Sequence, residues 1–166
     1  MAFVIIRAFL KRETDSVKGL LFREAENRKL EMALKVKDIT LPIRLQAYER
    51  MTLFCSRIEL GQLILRISGS QGMSANKLKI LLINAVDEEF NHNVTQQMYM
   101  SEELWEIISL ARKEAVKIVT IVYKSLEVRA SGKEFVEAFL EYSKEAPQQG
   151  YLQAQVAIKK EVALLF

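Results

Sequence analysis

From Pro42 onward, apolar side chains return every three or four positions, and very little interrupts them. The sets are Ile43, Ala47, Met51, Phe54, Cys55 and Ile58; then Leu78, Leu81, Leu82, Ala85, Val86 and Phe90; then Leu104, Ile107, Ile108, Ala111, Ala115, Ile118, Val119 and Val122. Phe135, Val136, Phe139 and Leu140 follow, and then Leu152, Val156, Ala163 and Leu164. A period near 3.6 puts such residues on one face of a helix, where they bury only against other helices. Two prolines and six glycines among 166 residues leave little material for hairpin turns. The β-branched run Val119-Thr120-Ile121-Val122 is the one strand-like patch, and the helical period continues through it on both sides. The chain is therefore expected to be all-α, a bundle of about five to seven helices with a long projecting N-terminal helix.

The boundaries come from capping chemistry. Ser74 and Ser101 have the side chains that accept hydrogen bonds from free amides at helix starts, and Glu102 and Glu103 follow Ser101 against the positive helix end. Ser131-Gly132 starts another helix that Pro147 stops, and a last helix is expected over about Gln149 to Leu165. Ser68-Gly69-Ser70-Gln71-Gly72 is a loop, and Leu60 to Ile67 is a short helical turn despite Gly61. Asn93 to Met100 suits a loop or a short extended piece. The helix containing Ser101's successors is expected to continue to about Val128.

Residues 1–38 differ in character. Phe22 to Lys37 is rich in Glu, Arg, Lys, Ala and Leu, with Glu24–Arg28 and Glu31–Lys35 in the favourable i,i+4 order. Its apolar residues form no wide stripe, so it is expected to be a polar stalk ending near Asp38 to Thr40, with Pro42 at the first position of the next helix. The expected organisation is an apolar tip plus stalk over 1–38 and a bundle over 39–166. The tip, Met1 to Leu10, is apolar apart from Arg7 and is followed by Lys11 and Arg12. As a helix it covers about 15 Å, half of a hydrocarbon core roughly 30 Å thick. Its charge follows the apolar run, the reverse of a secretory signal peptide. Phe3, Val4, Ile5, Ile6, Phe9 and Leu10 are its candidate membrane contacts.

Charge and cysteine content narrow the chemistry. The 24 basic and 21 acidic residues are interspersed, giving a net charge of +3, which argues against nucleic acid as a partner. Cys55 is the sole cysteine and lies on an apolar helix face, so it suits an inert core position better than a nucleophile. Glu88, Glu89 and His92 share a helical turn, but bundle metal sites need two Glu-x-x-His motifs, and this chain has one histidine. Met73-Ser74-Ala75 after Gly72 is not the Lys-Ser/Thr of a phosphate loop. Trp105 suits packing. No catalytic, metal or cofactor site is expected. Arg44, Gln46, Tyr48, Glu49 and Arg50 form the candidate interaction surface, since Arg and Tyr are enriched in binding hot spots. The same five also suit a solvated helix face.

The block Leu41-Pro42-Ile43-Arg44-Leu45-Gln46-Ala47-Tyr48-Glu49-Arg50-Met51, continued by Leu53-Phe54 and Arg57-Ile58, resembles the signature of an uncharacterised bacterial domain-of-unknown-function family. Shorter matches run through Gly72 to Ala75, Glu89-Phe90, His92-Asn93, Gln96-Gln97 and Leu164-Leu165-Phe166. The resemblance implies a helical domain behind one transmembrane helix and a charged stalk, with no assigned activity and no catalytic residues to carry over. The half-length apolar tip departs from that pattern: either the anchor begins upstream, or this member lacks it. With an anchor, Arg7, Lys11 and Arg12 place the body in the cytoplasm by the positive-inside bias.

The function expected from all this is a non-enzymatic scaffold or protein-interaction module at the cytoplasmic face of a bacterial membrane. Two alternatives stand beside it: a soluble helical nucleic-acid-binding protein using Arg44, Arg50 and Arg57, and an enzyme whose site is not visible in sequence.

Overall fold

The computed structural model describes the backbone over residues 2–67 and 72–166, and side chains over 17–67 and 72–166. The side chains of the apolar tip contacts named above, and Ser68 to Gln71 of the expected Ser68–Gly72 loop, lie outside those ranges. Six α-helices make up the described chain: α1 (Ala2–Arg57), α2 (Leu60–Ile67), α3 (Ala75–Asn93), α4 (Glu102–Lys124), α5 (Gly132–Glu145) and α6 (Gly150–Ala163). The all-α expectation and the helix count are met. By compactness the chain falls into two units, Met1–Pro42 and Ile43–Phe166.

In the first unit every described side chain from Val17 to Thr40 is exposed. The i,i+4 pairs form as expected, Arg28–Glu24 at 2.5 Å and Lys35–Glu31 at 2.9 Å. The expected break at Asp38 to Thr40 is absent, because α1 continues through Pro42. Proline deprives the Asp38 carbonyl of its i+4 donor, a loss of about 3 kcal/mol in a helix interior. Strong helix formers precede it, and the residues after it are anchored: Ala47, Met51, Phe54, Cys55 and Ile58 are all fully buried.

The second unit is built around α4, which packs on α3, α5 and most extensively on α6. Leu104, Ile108, Ala111, Ala115, Ile118, Val119 and Val122 of α4 are buried at the centre of one core. The β-branched run is thus helical, its face chosen by burial over local preference. Phe90 closes one side, edge-on to Phe54 at 5.8 Å and stacked on Trp105 at 5.1 Å. The segment after α3 is neither loop nor extended but a 3₁₀ turn over Val94–Tyr99. α4 ends at Lys124 and not near Val128, because Ser125 turns its hydroxyl and amide back onto the Val122 carbonyl.

Long-range polar ties seal the helix ends. Ser74 and Ser131 cap α3 and α5 as expected, and an antiparallel bridge joins these two caps: Ala75 N donates to Ala130 O at 2.9 Å and Gly132 N to Met73 O at 2.7 Å. Gln148 spans the break between α1 and α2, accepting from Leu60 N at 2.9 Å and donating to Ile58 O at 3.3 Å. Glu114 of α4 caps α6, accepting from Gln149 N at 3.3 Å and Gly150 N at 2.6 Å.

Two inward faces differ from expectation. Leu140 of α5 is 56% exposed, while Phe135 and Phe139 carry the packing. In α6 the expected residues Leu152, Val156, Ala163 and Leu164 face solvent, and Ala154 and Ile158 are buried, flanked by Tyr151, Ala157, Val162 and Leu165. Ile43 and Leu81 likewise sit outside the core.

The α4–α6 contact generates a prediction. A Cβ on Gly150 would lie 2.5 Å from Glu114 Oε2 and 3.0 Å from the Ala111 Cα. Gly150→Ala therefore has to push the helices apart, at a cost of about 1–3 kcal/mol. An unfolding free energy lowered by that amount, seen as a lower urea midpoint at unchanged slope, is the expected result, and an unshifted midpoint would show that the contact has slack.

Candidate functional site

Two polar arrangements in the second unit are built from several segments. The first is a tie around Glu161 of α6. Its carboxylate accepts from the Ser101 amide at 2.8 Å, from the Ser101 hydroxyl at very short range, and from the Tyr48 hydroxyl at 2.8 Å. Arg44 donates to the Tyr48 oxygen at 2.8 Å and to the Tyr99 carbonyl at 3.2 Å, and its guanidinium is 3.9 Å from Glu161. Ser101 at the same time accepts from Leu104 N as the N-cap of α4.

The electrostatics follow from that geometry. Burial pushes the Glu161 carboxyl up, but the Ser101 and Tyr48 hydrogen bonds and the Arg44 charge outweigh it and hold the group below its ordinary 4.5. Burial, followed by hydrogen bonding to Glu161, holds the Tyr48 phenol above its ordinary 10.0. With its donors and acceptors occupied, the arrangement acts as a fastener.

The second arrangement is a groove of about 500 Å³ among α1, α2 and α3. It is lined mostly by polar side chains, Arg50, Arg57, Arg66, Glu88, Glu89, His92 and Asn93, with Leu63, Ile67 and Ala85 as the apolar part of the lining. Arg57 meets Glu89 with one guanidinium nitrogen 3.1 and 3.2 Å from its two oxygens. Arg66 donates to the Arg57 carbonyl at 2.7 Å. Asn93 donates to the Glu89 carbonyl at 2.8 Å, and His92 Nδ1 lies 3.0 Å from the Glu88 carbonyl oxygen.

The sequence-picked residues divide between these places. Arg44 and Tyr48 turn inward, Tyr48 being only 2% exposed, while Gln46, Glu49 and Arg50 remain exposed, and of the five Arg50 alone lines the groove. Glu88, Glu89 and His92 do come together, facing arginines and not further acids. No group of three His, Cys, Asp or Glu side chains able to hold a metal ion occurs among the described residues. Cys55 is fully buried, its thiol pushed up to about 12 by desolvation. Sequence reasoning missed Glu161 and Arg66. Glu161 was detectable as a carboxylate one turn beyond Ile158, on the correct inward face of α6; Arg66 had no comparable signal.

Comparison with known families places this geometry. A family model described as a family of unknown function, DUF7935, matches residues 2–165. The chain belongs to that family. Membership agrees with the resemblance to an uncharacterised family expected from the sequence. No curated protein and no solved structure matches the chain. The DUF7935 chain thus presents a groove and a partly buried fastener.

The fastener predicts a pH profile. Glu161 lies below its ordinary value, so its contribution is complete above about 4.5 and is lost as pH falls through the lower folded value. Tyr48 lies above 10.0, so its contribution is complete below that value and is lost as pH rises through the higher folded value. Urea unfolding should show a stability plateau between these limits. Glu161→Gln should lower that plateau by about 2–3 kcal/mol and flatten the acid limb. A variant profile parallel to the parent's would remove Glu161 from the account.

Proposed function

We propose that this DUF7935 chain is a non-enzymatic scaffold or protein-interaction module that works at the cytoplasmic face of a bacterial membrane. The observation that carries the reading is the surface of α1. Val17, Leu20, Leu21, Phe22, Leu30, Met32, Leu34, Val36 and Ile39 are each at least 54% exposed. These side chains are spread around the helix and form no single stripe, so a partner that wraps α1 gains from each one it covers, up to about 1.5–3 kcal/mol per side chain.

Two further observations support it. Nucleophile and base occupy settings that suit structure: Cys55 sits in the core with a raised thiol, and His92 stands on a groove rim beside arginines. The residues before Val17 supply the membrane argument from sequence, since Phe3, Val4, Ile5, Ile6, Phe9 and Leu10 precede Lys11 and Arg12. No helix of the described residues is long and apolar enough to cross a membrane. The membrane role in this reading is contact by the apolar tip, with Lys11 and Arg12 drawn to the anionic cytoplasmic surface.

Cell fractionation of the intact protein tests location, and paired variants test the surface. The protein should pellet with membranes and resist protease added outside spheroplasts. Leu34→Asp and Val36→Asp should leave the unfolding free energy from urea titration within about 0.5 kcal/mol of the parent, because both side chains are exposed. The same variants should release proteins that co-purify with the parent from membranes. Recovery in the soluble fraction, or co-purification indifferent to both substitutions, would defeat the reading.

A further inference from the structure

The groove in the second unit has features that the interaction surface on α1 does not explain. Its volume of about 500 Å³ falls in the range of small-molecule sites, which typically combine an apolar floor with a few converging polar groups. Here Leu63, Ile67 and Ala85 supply a smaller apolar share of the lining and the charged side chains the larger share. Of the three arginines on the rim, Arg57 is committed to Glu89, which neutralises its charge and fixes its position. Arg66 uses one nitrogen on the Arg57 carbonyl. A guanidinium carries five N–H donors, so Arg66 keeps several for another acceptor. Arg50 is exposed two helical turns before Arg57, about 10.5 Å back along α1 and on the same side. Three arginines against Glu88 and Glu89 leave the lining with one formal positive charge from its guanidinium and carboxylate groups.

We propose that this groove binds an organic anion, with the apolar part of the ligand on Leu63, Ile67 and Ala85 and its carboxylate or phosphate on Arg50 and Arg66. Arginine forks match the planar or tetrahedral oxygens of such head groups with two parallel hydrogen bonds. A cationic ligand of the same shape meets three guanidiniums and is rejected. One negative charge brings the rim to neutrality, which favours a monoanionic head or a singly protonated phosphate. The site rests on α1 beyond Arg50, α2 and α3, so its success or failure leaves the reading of the Val17–Ile39 surface untouched.

The test is an amide chemical-shift titration of the intact, isotope-labelled protein with three probes: octanoate, octyl phosphate and octylammonium. Either anion should give saturable shifts clustered at Arg50, Arg57, Leu63 to Ile67 and Glu88 to Asn93. Saturation by octanoate alone assigns the head group as a carboxylate, and by octyl phosphate alone as a phosphate. The double variant Arg50→Glu with Arg66→Glu should keep the parent spectrum away from the groove and weaken binding about tenfold or more. The proposal is overturned if octylammonium titrates the same amides as tightly, if shifts from the anions fall only on Val17 to Ile39, if neither anion saturates, or if the double variant binds like the parent.

Discussion

One carboxylate fastens the bundle together. Glu161, close to the end of the chain, holds Tyr48 of α1 and the Ser101 cap of α4, segments that are 113 and 60 residues away in sequence. A charge enclosed in this way costs several kcal/mol of hydration and is tolerable only when every lone pair is used. Here the Ser101 amide, two hydroxyls and the Arg44 guanidinium satisfy it. No buried side-chain nitrogen or oxygen among the described residues lacks a partner. Apolar packing of α4 on α6 is non-directional, whereas these hydrogen bonds have defined partners and add to the close Gly150 contact in fixing the register. The fastener therefore contributes specificity in addition to stability.

The same principle recurs at the other helix ends. A chain with two prolines and six glycines has few residues that stop helices by backbone geometry. It stops them instead with side chains borrowed from elsewhere in the fold. Gln148 supplies both the donor and the acceptor missing at the α1–α2 break, Glu114 caps α6 from the middle of α4, and the Ser74 and Ser131 caps are joined backbone to backbone. Each tie satisfies amides or carbonyls that a helix end leaves open. Each forms only once the bundle has assembled, which couples the helix boundaries to the tertiary structure.

That coupling explains what was legible in the sequence. Local signals were read correctly where they act locally: Ser74, Ser101 and Ser131 cap the helices they precede, and the spacing from Ala47 to Ile58 marks a buried face. Signals failed where a distant partner decides. The inward side of α6 was assigned to Leu152, Val156 and Leu164 by hydrophobicity, but packing against α4 selects small Ala154 together with Ile158, because Gly150 brings the two helices into close approach. That error hid Glu161, which shares the face of Ile158. Pro42 signalled a boundary, yet burial of the next turns holds it inside a helix. The candidate surface at Arg44 to Arg50 was half fastener: Arg44 and Tyr48 are drawn inward by a carboxylate that no neighbouring residue announces.

The groove shows how arginine spacing can be misread for the same reason. Arg50 and Arg57 sit seven residues apart on α1 and, with Arg44, are the residues on which the nucleic-acid alternative rests, although they form no tight stripe. Glu89 from α3 cancels Arg57, and Arg66 arrives from α2 across a break in the chain, so the cations surround a concavity instead of lining a ridge. A ridge of cations suits an extended phosphate backbone, to which each contributes independently of its neighbours. A concavity lined by both charge signs and a few apolar side chains discriminates by shape and by one matched charge. The geometry therefore favours a compact anion over a polymer, and it does so through the acidic residues, Glu88 and Glu89, that a purely basic surface would not carry.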